Sequence, residues 1–380
     1  MITGVGLACR KKPNMAIRSD THIHPLLNTY FLGRNAAWQH KRPPFFLPIF
    51  NYVDYPRAHE AGMRLLLSVV YVLPLPWRSA LSQVERLIEL ANRESENTAV
   101  PVRMVRTGAE IRKAAADGAL AVVYAVEGGH VLGDDENNVD RLAELGVRYL
   151  TIVHFVHNRI GGAAAVPFGG QRRMTEFGRR VVRRMYKRGL VADLSHCTVP
   201  TFWDAVEEAT GPVIASHSGA RAFALRDRNL EADQVKAIAK SGGVVGVMFC
   251  PFYLRAWRIV GTLEDLMRNI SYFADLVGPE HVALGSDLDG GLWPVREIGD
   301  IRDYELVAEA LLRVGFSSSD TDLIMGENLV RMFERFDATL ASSGTGGTTA
   351  PGRTTASGRT TASGGTNGRS GGTTIPSAAI

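Results

Sequence analysis

Eight apolar runs of strand length are spaced along this chain, and helical patterns lie among and after them. The runs are 16–21 (AIRSDT), 64–72 (RLLLSVVYV), 119–126 (ALAVVYAV), 148–154 (RYLTIVH), 190–195 (LVADLS), 212–216 (PVIAS), 243–249 (GVVGVMF) and 281–286 (HVALGS). Most are continuously apolar rather than alternating, as expected of strands covered on both faces. Helical periodicity marks 174–188, 200–209, 230–241, 262–277, 303–314 and 319–336. In the first of these, Phe177, Val181, Val182 and Met185 share one face. Thr262 ahead of LEDL and Ser319 ahead of DTDL have the chemistry of helix N-caps. Strand–helix alternation with eight strands predicts an α/β fold of the closed (β/α)8, TIM-like barrel type. An open doubly wound sheet is the rival, and it is disfavoured because no GxGxxG turn follows the first run.

Composition sets the limits of that fold. The chain has 380 residues, 45% hydrophobic and 22% charged, ordinary for a globular protein with a substantial core. From residue 341 onward the sequence is almost entirely Gly, Thr, Ser and Ala, with RTTASG twice in tandem at 353–358 and 359–364. Such a segment lacks the apolar surface to offset its ordering entropy. The expectation is therefore one barrel domain over 1–340 and a disordered tail over 341–380. Arg353, Arg359 and Arg369 of that tail account for three of the formal +4 charges and leave +1 on the rest. The basic balance is thus a tail property and gives no reason to expect a nucleic-acid partner. Cys9, Cys197 and Cys250 are odd in number and form no CxxC pair, which points to a reducing compartment. The N-terminus has no apolar signal core, the run LLLSVVYVLPLP is too short to span a bilayer, and the C-terminus has no anchor signal. These readings predict a cytoplasmic protein with no membrane partner.

The polar residues at the ends of the runs carry the chemistry. His22 and His24 follow the first run, Glu127 the third, His154 the fourth, His196 the fifth, His217 the sixth and Asp287 the eighth. In a parallel barrel the C-terminal strand ends share one face, where barrel active sites sit. A lone histidine at a strand end is ordinarily a satisfied polar residue. Here histidines stand at equivalent positions on four different strands, with one Glu and one Asp on two more, and five of the chain's ten histidines lie in this set. Imidazole and carboxylate together favour zinc and related divalent ions. Two ions bridged by a carboxylate can activate water and polarise a carbonyl oxygen. His22, His24, Glu127, His196 and His217 are the expected metal ligands, and Asp287 is the natural proton carrier.

These residues lie in the motifs SDTHIHP, IRKAAADGALAVVYAVEGGH, LTIVHFVHN, VADLSH, VIASHSGAR with RDRN, ALGSDLDG and MGENLVRMF. In that order they resemble the membrane (renal) dipeptidase family of the amidohydrolase superfamily, over about residues 18 to 336. The resemblance implies binuclear hydrolysis of a dipeptide, including one with a C-terminal D-residue, by a bridging hydroxide, with two divalent ions, Zn2+ above all. It implies that His22 binds the first metal, Glu127 bridges, and His196 and His217 hold the second. It further implies that His154 faces the substrate carbonyl oxygen and Arg228 holds the substrate carboxylate. Asp287 would pass a proton to the leaving amine, and Tyr253 would line the pocket. A homodimer is compatible with it. Asp289 reads as a turn residue. One departure stands out: the family's HxD after the first strand is HxH here, so His24 replaces an anionic ligand. That substitution predicts a first metal held more weakly, or an altered metal or substrate preference. Residues 28–60, long and aromatic-rich, read as a lid. Two other functions fit the same residues: hydrolysis of another small amide or a lactone, and a non-catalytic metal-binding scaffold.

Overall fold

The computed structural model describes residues 16–39, 50–75, 79–166, 170–256 and 260–343. Every predicted run overlaps a strand. In chain order these are β1 (Arg18–Ile23), β2 (Met63–Val70), β3 (Val102–Met104), β4 (Leu120–Glu127), β5 (Val147–Thr151), β6 (Val191–Asp193), β7 (Val213–Ser218), β8 (Val245–Val247) and β9 (Val282–Leu284). All neighbours pair in parallel, in the order β1-β2-β4-β5-β6-β7-β8-β9. The short β3 was not anticipated; it pairs only with β4, outside that path.

The sheet curls until its first and last strands meet. The Asp287 amide donates to the His22 carbonyl (2.9 Å), and the His24 amide to the Leu288 carbonyl (3.0 Å). The result is a nearly closed eight-stranded barrel, as the alternation predicted. Its strands are buried on both faces, and every residue of β4 is buried. Inside the barrel the Thr21 hydroxyl donates to the carbonyls of Ser216 (2.5 Å) and Leu284 (2.9 Å). Gly246 and Gly285 permit this approach, since a Cβ at either would overlap the Ser216 carbonyl and the Thr21 hydroxyl.

The outer helices from residue 174 onward largely follow the predicted periodicity, while Ala80–Ser95, Gly108–Ala116 and Asn138–Glu144 were not anticipated. Val181, Val182 and Met185 of Glu176–Lys187 are buried, while Phe177 is partly buried against the core. Thr262 forms a reciprocal capping box with Asp265 on Leu263–Val277. Two expectations need correction. The cap before residue 320 is Ser317, whose hydroxyl accepts from the Asp320 amide, not Ser319. The helix expected over 319–336 is also not continuous. Ser318–Asp322 passes through a wide turn at Leu323–Glu327 before Asn328–Ser342. Gly326 leaves helical geometry where it backs onto the start of β1; a side chain there would strike the Ile17 carbonyl.

That last helix ends at Ser342, and the tail from 344 onward lies outside the described residues. Cys197 and Cys250 are buried free thiols, and Cys9 lies outside the described residues. Among the described residues, no helix is long and apolar enough to cross a membrane.

Candidate metal centre

The expected site residues converge at the C-terminal mouth of the barrel. His22 sits inside β1 and His24 just past it, because the strand runs two residues further than the sequence suggested. Alternation along the strand sends both rings to one side, and their Nε2 atoms lie 3.0 Å apart. Glu127 ends β4, and His217 lies within β7 rather than beyond it. His154, His196 and Asp287 each stand three residues after their strand, and His196 (φ 66°) and Asp287 (φ 60°) adopt left-handed backbone. Gly290 lets the Asp287 carboxylate in: a Cβ there would collide with Asp287 Oδ1.

Glu127 is the hub. Its Oε1 is 3.3 Å from His22 Nε2, 3.2 Å from His196 Nε2 and 3.5 Å from His217 Nε2. Its Oε2 is 3.6 Å from His24 Nε2 and 3.5 Å from His154 Nε2. His196 and His217 approach each other Nε2 to Nε2 at 3.0 Å, and His24 Nε2 is 3.2 Å from Asp287 Oδ1. All these groups are buried.

The ring orientations are set from behind, by residues that sequence reasoning did not single out. The Tyr149 hydroxyl gives its proton to the Thr21 carbonyl (3.0 Å), so it accepts from His22 Nδ1 (2.9 Å). The Ser216 hydroxyl gives its proton to Asp193 Oδ2 (2.7 Å) and accepts from His217 Nδ1 (2.8 Å). In both histidines the proton therefore sits on Nδ1, and the Nε2 lone pair faces Glu127. A polar residue inside an otherwise apolar strand, such as Tyr149 in RYLTIVH or Asp193 in VADLSH, was the available signal.

Charge in the cluster agrees with ligation. Burial pushes His196 and His217 well below the ordinary imidazole range, with the Arg228 charge adding to it for both. Burial also lowers His154, to about 4. Burial would raise Glu127, yet His154, His22 and His196 outweigh it and hold the carboxyl well below its usual value. Burial opposes protonation of His22, but Glu127, Asp287 and Asp193 prevail and raise it. The centre thus has a fixed anion, mostly neutral imidazoles and lone pairs aimed at one another, an arrangement that a cation relieves.

The spacing fits as well. Bonds of 2.0–2.1 Å in a tetrahedron place ligand atoms about 3.3 Å apart, against the 3.0–3.6 Å separations here. His22–His24–Glu127, Glu127–His154–His196 and His22–His217–Asp287 are each close enough to hold an ion.

One cavity opens onto this centre. Arg228, Tyr253, Asp287, His154 and Tyr71 line it, with Leu27, Phe31, Phe50, Phe155, Met248 and Leu292 as apolar walls. Arg228 is not a solvated loop residue. It is buried, donating to the Ser218 hydroxyl (2.9 Å) and the His217 carbonyl (2.6 Å), and its Nε has no partner. The expected lid contributes Phe31 and Phe50, and its stretch 40–49 lies outside the described residues. Asp289 is more than a turn residue. It is fully buried and accepts from Asn28 Nδ2 (2.7 Å) and the amides of Tyr52 (2.7 Å) and Val53 (3.1 Å).

Known proteins share this architecture. Dipeptidase tcpJ of Claviceps purpurea (strain 20.1) is 28% identical over 255 residues, 67% of this chain, and the match spans 60% of that protein's length. The solved dipeptidase AC, a metallopeptidase of family M19, is 26% identical with a TM-score of 0.74, covering 84% of this chain and 98% of that one. A metallopeptidase from Rhodobacter sphaeroides, solved with a phosphinate mimic of the dipeptide L-Ala-D-Ala, has the same fold. It gives a TM-score of 0.74 at 24% identity over 84% of this chain and 99% of that one. A family model matches residues 48–344, beyond the first strand, so His22 and His24 stand outside the matched span. Because that match covers most of the sequence, the chain belongs to the membrane dipeptidase family, peptidase family M19.

Proposed function

We propose that this protein hydrolyses dipeptides, of L,L or L,D configuration, with two divalent cations, zinc by preference. The observation that carries the reading is the convergence of five imidazole Nε2 atoms on one buried carboxylate, beside a buried arginine and a second carboxylate in the same cavity. His22, His24 and Glu127 would hold one cation, and Glu127, His196 and His217 the other. When bound, the pair supplies an acidified water and an electrophile for the amide oxygen.

The chain's own residues do the rest. The buried Arg228 guanidinium pairs with the substrate's terminal carboxylate, two of its nitrogens being steadied by His217 and Ser218. His154, kept uncharged by burial, presents a neutral N–H to the carbonyl oxygen as negative charge develops there. Asp287, its backbone locked by the His22 carbonyl, accepts a proton from the attacking water and delivers it to the departing amine. The apolar walls exclude bulk water from that transfer.

A second reading rests on the same lining. Among the described lining residues, the carboxylates are Glu127 and Asp287, both against imidazoles. None of these described lining residues offers a further acid to an N-terminal ammonium, which favours N-acyl amino acids as alternative substrates. The test is a panel of L,L and L,D dipeptides and N-acyl amino acids, run with zinc-loaded and chelator-stripped protein. Metal-dependent cleavage of dipeptides is expected. Cleavage of N-acyl amino acids alone would replace the first reading with the second, and no turnover would remove both.

A further inference from the structure

Two residues beyond Asp287, a buried carboxylate makes hydrogen bonds that the chemistry of hydrolysis does not use. Asp289 Oδ2 accepts from Asn28 Nδ2 (2.7 Å) and the Val53 amide (3.1 Å), and Oδ1 accepts from the Tyr52 amide (2.7 Å). These three donors belong to two separate walls of the cavity. Asn28 lies on the helix Pro25–Leu32, which carries Leu27 and Phe31 to the mouth. Tyr52 and Val53 follow Phe50, which lines the cavity from the other segment. Between them Asn51 adopts left-handed backbone (φ 75°). Asp289 itself is left-handed (φ 66°) on the loop that carries Asp287 and Gly290. One carboxylate therefore ties both apolar walls to the proton-carrying loop.

We infer that Asp289 is a positioning residue that sets the apolar subsite of Leu27, Phe31 and Phe50, and through it a preference for substrates with a bulky apolar side chain. The inference rests on the dipeptidase reading above. Its physical basis is that Tyr52 and Val53 are buried, and no water replaces a missing acceptor there. An amide at position 289 turns one acceptor oxygen into a donor. Whichever way that amide faces, at least one N–H of the three is left opposite another N–H, and the segment bearing Phe50 moves to find a partner. His22 and His217 keep supports that Asp289 does not touch, Tyr149, Ser216 and Asp193, and the His24 amide keeps its bond to the Leu288 carbonyl. The expected signature is therefore a change in binding of side chains and not in the chemical step.

The test compares kcat and KM for Ala-Ala, Leu-Ala and Ala-Leu in zinc-loaded wild type, Asp289→Asn, Phe50→Ala and the double variant, with metal content measured on each. Wild type is expected to favour one leucine dipeptide over Ala-Ala by about tenfold or more in kcat/KM. In Asp289→Asn that preference shrinks through KM, while kcat on Ala-Ala and metal content hold within about twofold. Phe50→Ala loses the same preference, and the double variant loses no more than Phe50→Ala alone. Should Asp289→Asn not fold, Asn28→Ala, which removes one donor, must shrink the preference in the same direction. A wild type without size preference, or an unchanged preference in the folded variant, overturns the inference while leaving dipeptide cleavage standing. So does a fall of kcat on Ala-Ala in step with metal loss. No turnover of any dipeptide overturns the dipeptidase reading and this inference together.

Discussion

The Tyr149 hydroxyl stands 2.9 Å behind His22 Nδ1 and spends its own proton on the Thr21 carbonyl, so His22 presents a bare Nε2 to Glu127. Tyr149→Phe removes that acceptor without changing ring size. The expected result is a fold of unchanged secondary structure whose first cation binds about 10–100-fold more weakly, read by competition with a chromophoric chelator. Equal affinity would mean that Ser216, 3.0 Å from the same nitrogen, suffices alone.

His24 offers a neutral nitrogen where an aspartate would offer charge. His24→Asp adds one negative charge to a buried cluster that already holds Glu127 and Asp287. It is expected to tighten the first cation and to shift preference toward harder, oxygen-seeking ions such as Mn2+. Metal content after dialysis against mixed zinc and manganese reads this directly; identical stoichiometry and selectivity would show that residue 24 does not tune the centre.

Asp287 is expected to carry the proton, so Asp287→Asn should lower kcat by about 10²–10⁴ with metal content preserved. Loss of metal in that variant would instead make Asp287 a ligand, as its place beside His22 and His217 permits.

Arg228 is assigned to the substrate carboxylate. Arg228→Met should cost about 10–100-fold in kcat/KM for free dipeptides, mostly through KM. Dipeptide amides, which lack the carboxylate, should be hydrolysed equally by both proteins. A matching loss on amides would mean that the arginine chiefly supports the His217 and Ser218 backbone.

Asp20 bonds the Ser286 and His22 amides and receives the Tyr304 hydroxyl, fastening β1 to the segment after β9. Burial raises its carboxyl to about 6 from 3.8, against the pull of those partners. The folded state therefore binds this proton more tightly than the unfolded chain. The associated stability is present below about pH 4 and is lost as pH rises through 6, in all about 3 kcal/mol. Asp20→Asn has no proton to lose. In metal-free protein the melting temperature of the variant, relative to wild type, should climb between pH 4 and 7. A constant difference across that range would rule out ionisation of Asp20 as the cause.

The barrel was legible because continuous apolar runs and helical periodicity are local signals that its eight strands and most of the outer helices after residue 174 obey, while Ala80–Ser95, Gly108–Ala116 and Asn138–Glu144 were not anticipated. The assembly of the centre was legible for a topological reason: parallel strands deliver their C-terminal ends to one mouth, so His22, Glu127, His196 and His217 could be grouped without coordinates. What escaped was whatever depends on cross-barrel distance. Tyr149 and Ser216 read as ordinary strand residues until their hydroxyls are seen behind imidazoles. Arg228 was singled out through the resemblance alone; its buried guanidinium is a contact with the end of β7 that no local pattern encodes. Asp289 passed for a turn residue because its partners, Asn28, Tyr52 and Val53, lie more than 230 positions away. The broken helix at Leu323–Glu327 likewise answers to β1, at the other end of the fold.

The two halves of the cation-binding pocket enter the chain far apart, with His22 near its beginning and His217 and Asp287 only after most of the barrel is made. During synthesis an emerging polypeptide can present a histidine or two, but not the full set of donors. Full occupancy of a two-cation centre would therefore await His217, and a chain cut before that residue should hold at most the cation assigned to His22, His24 and Glu127, however much of its sequence survives.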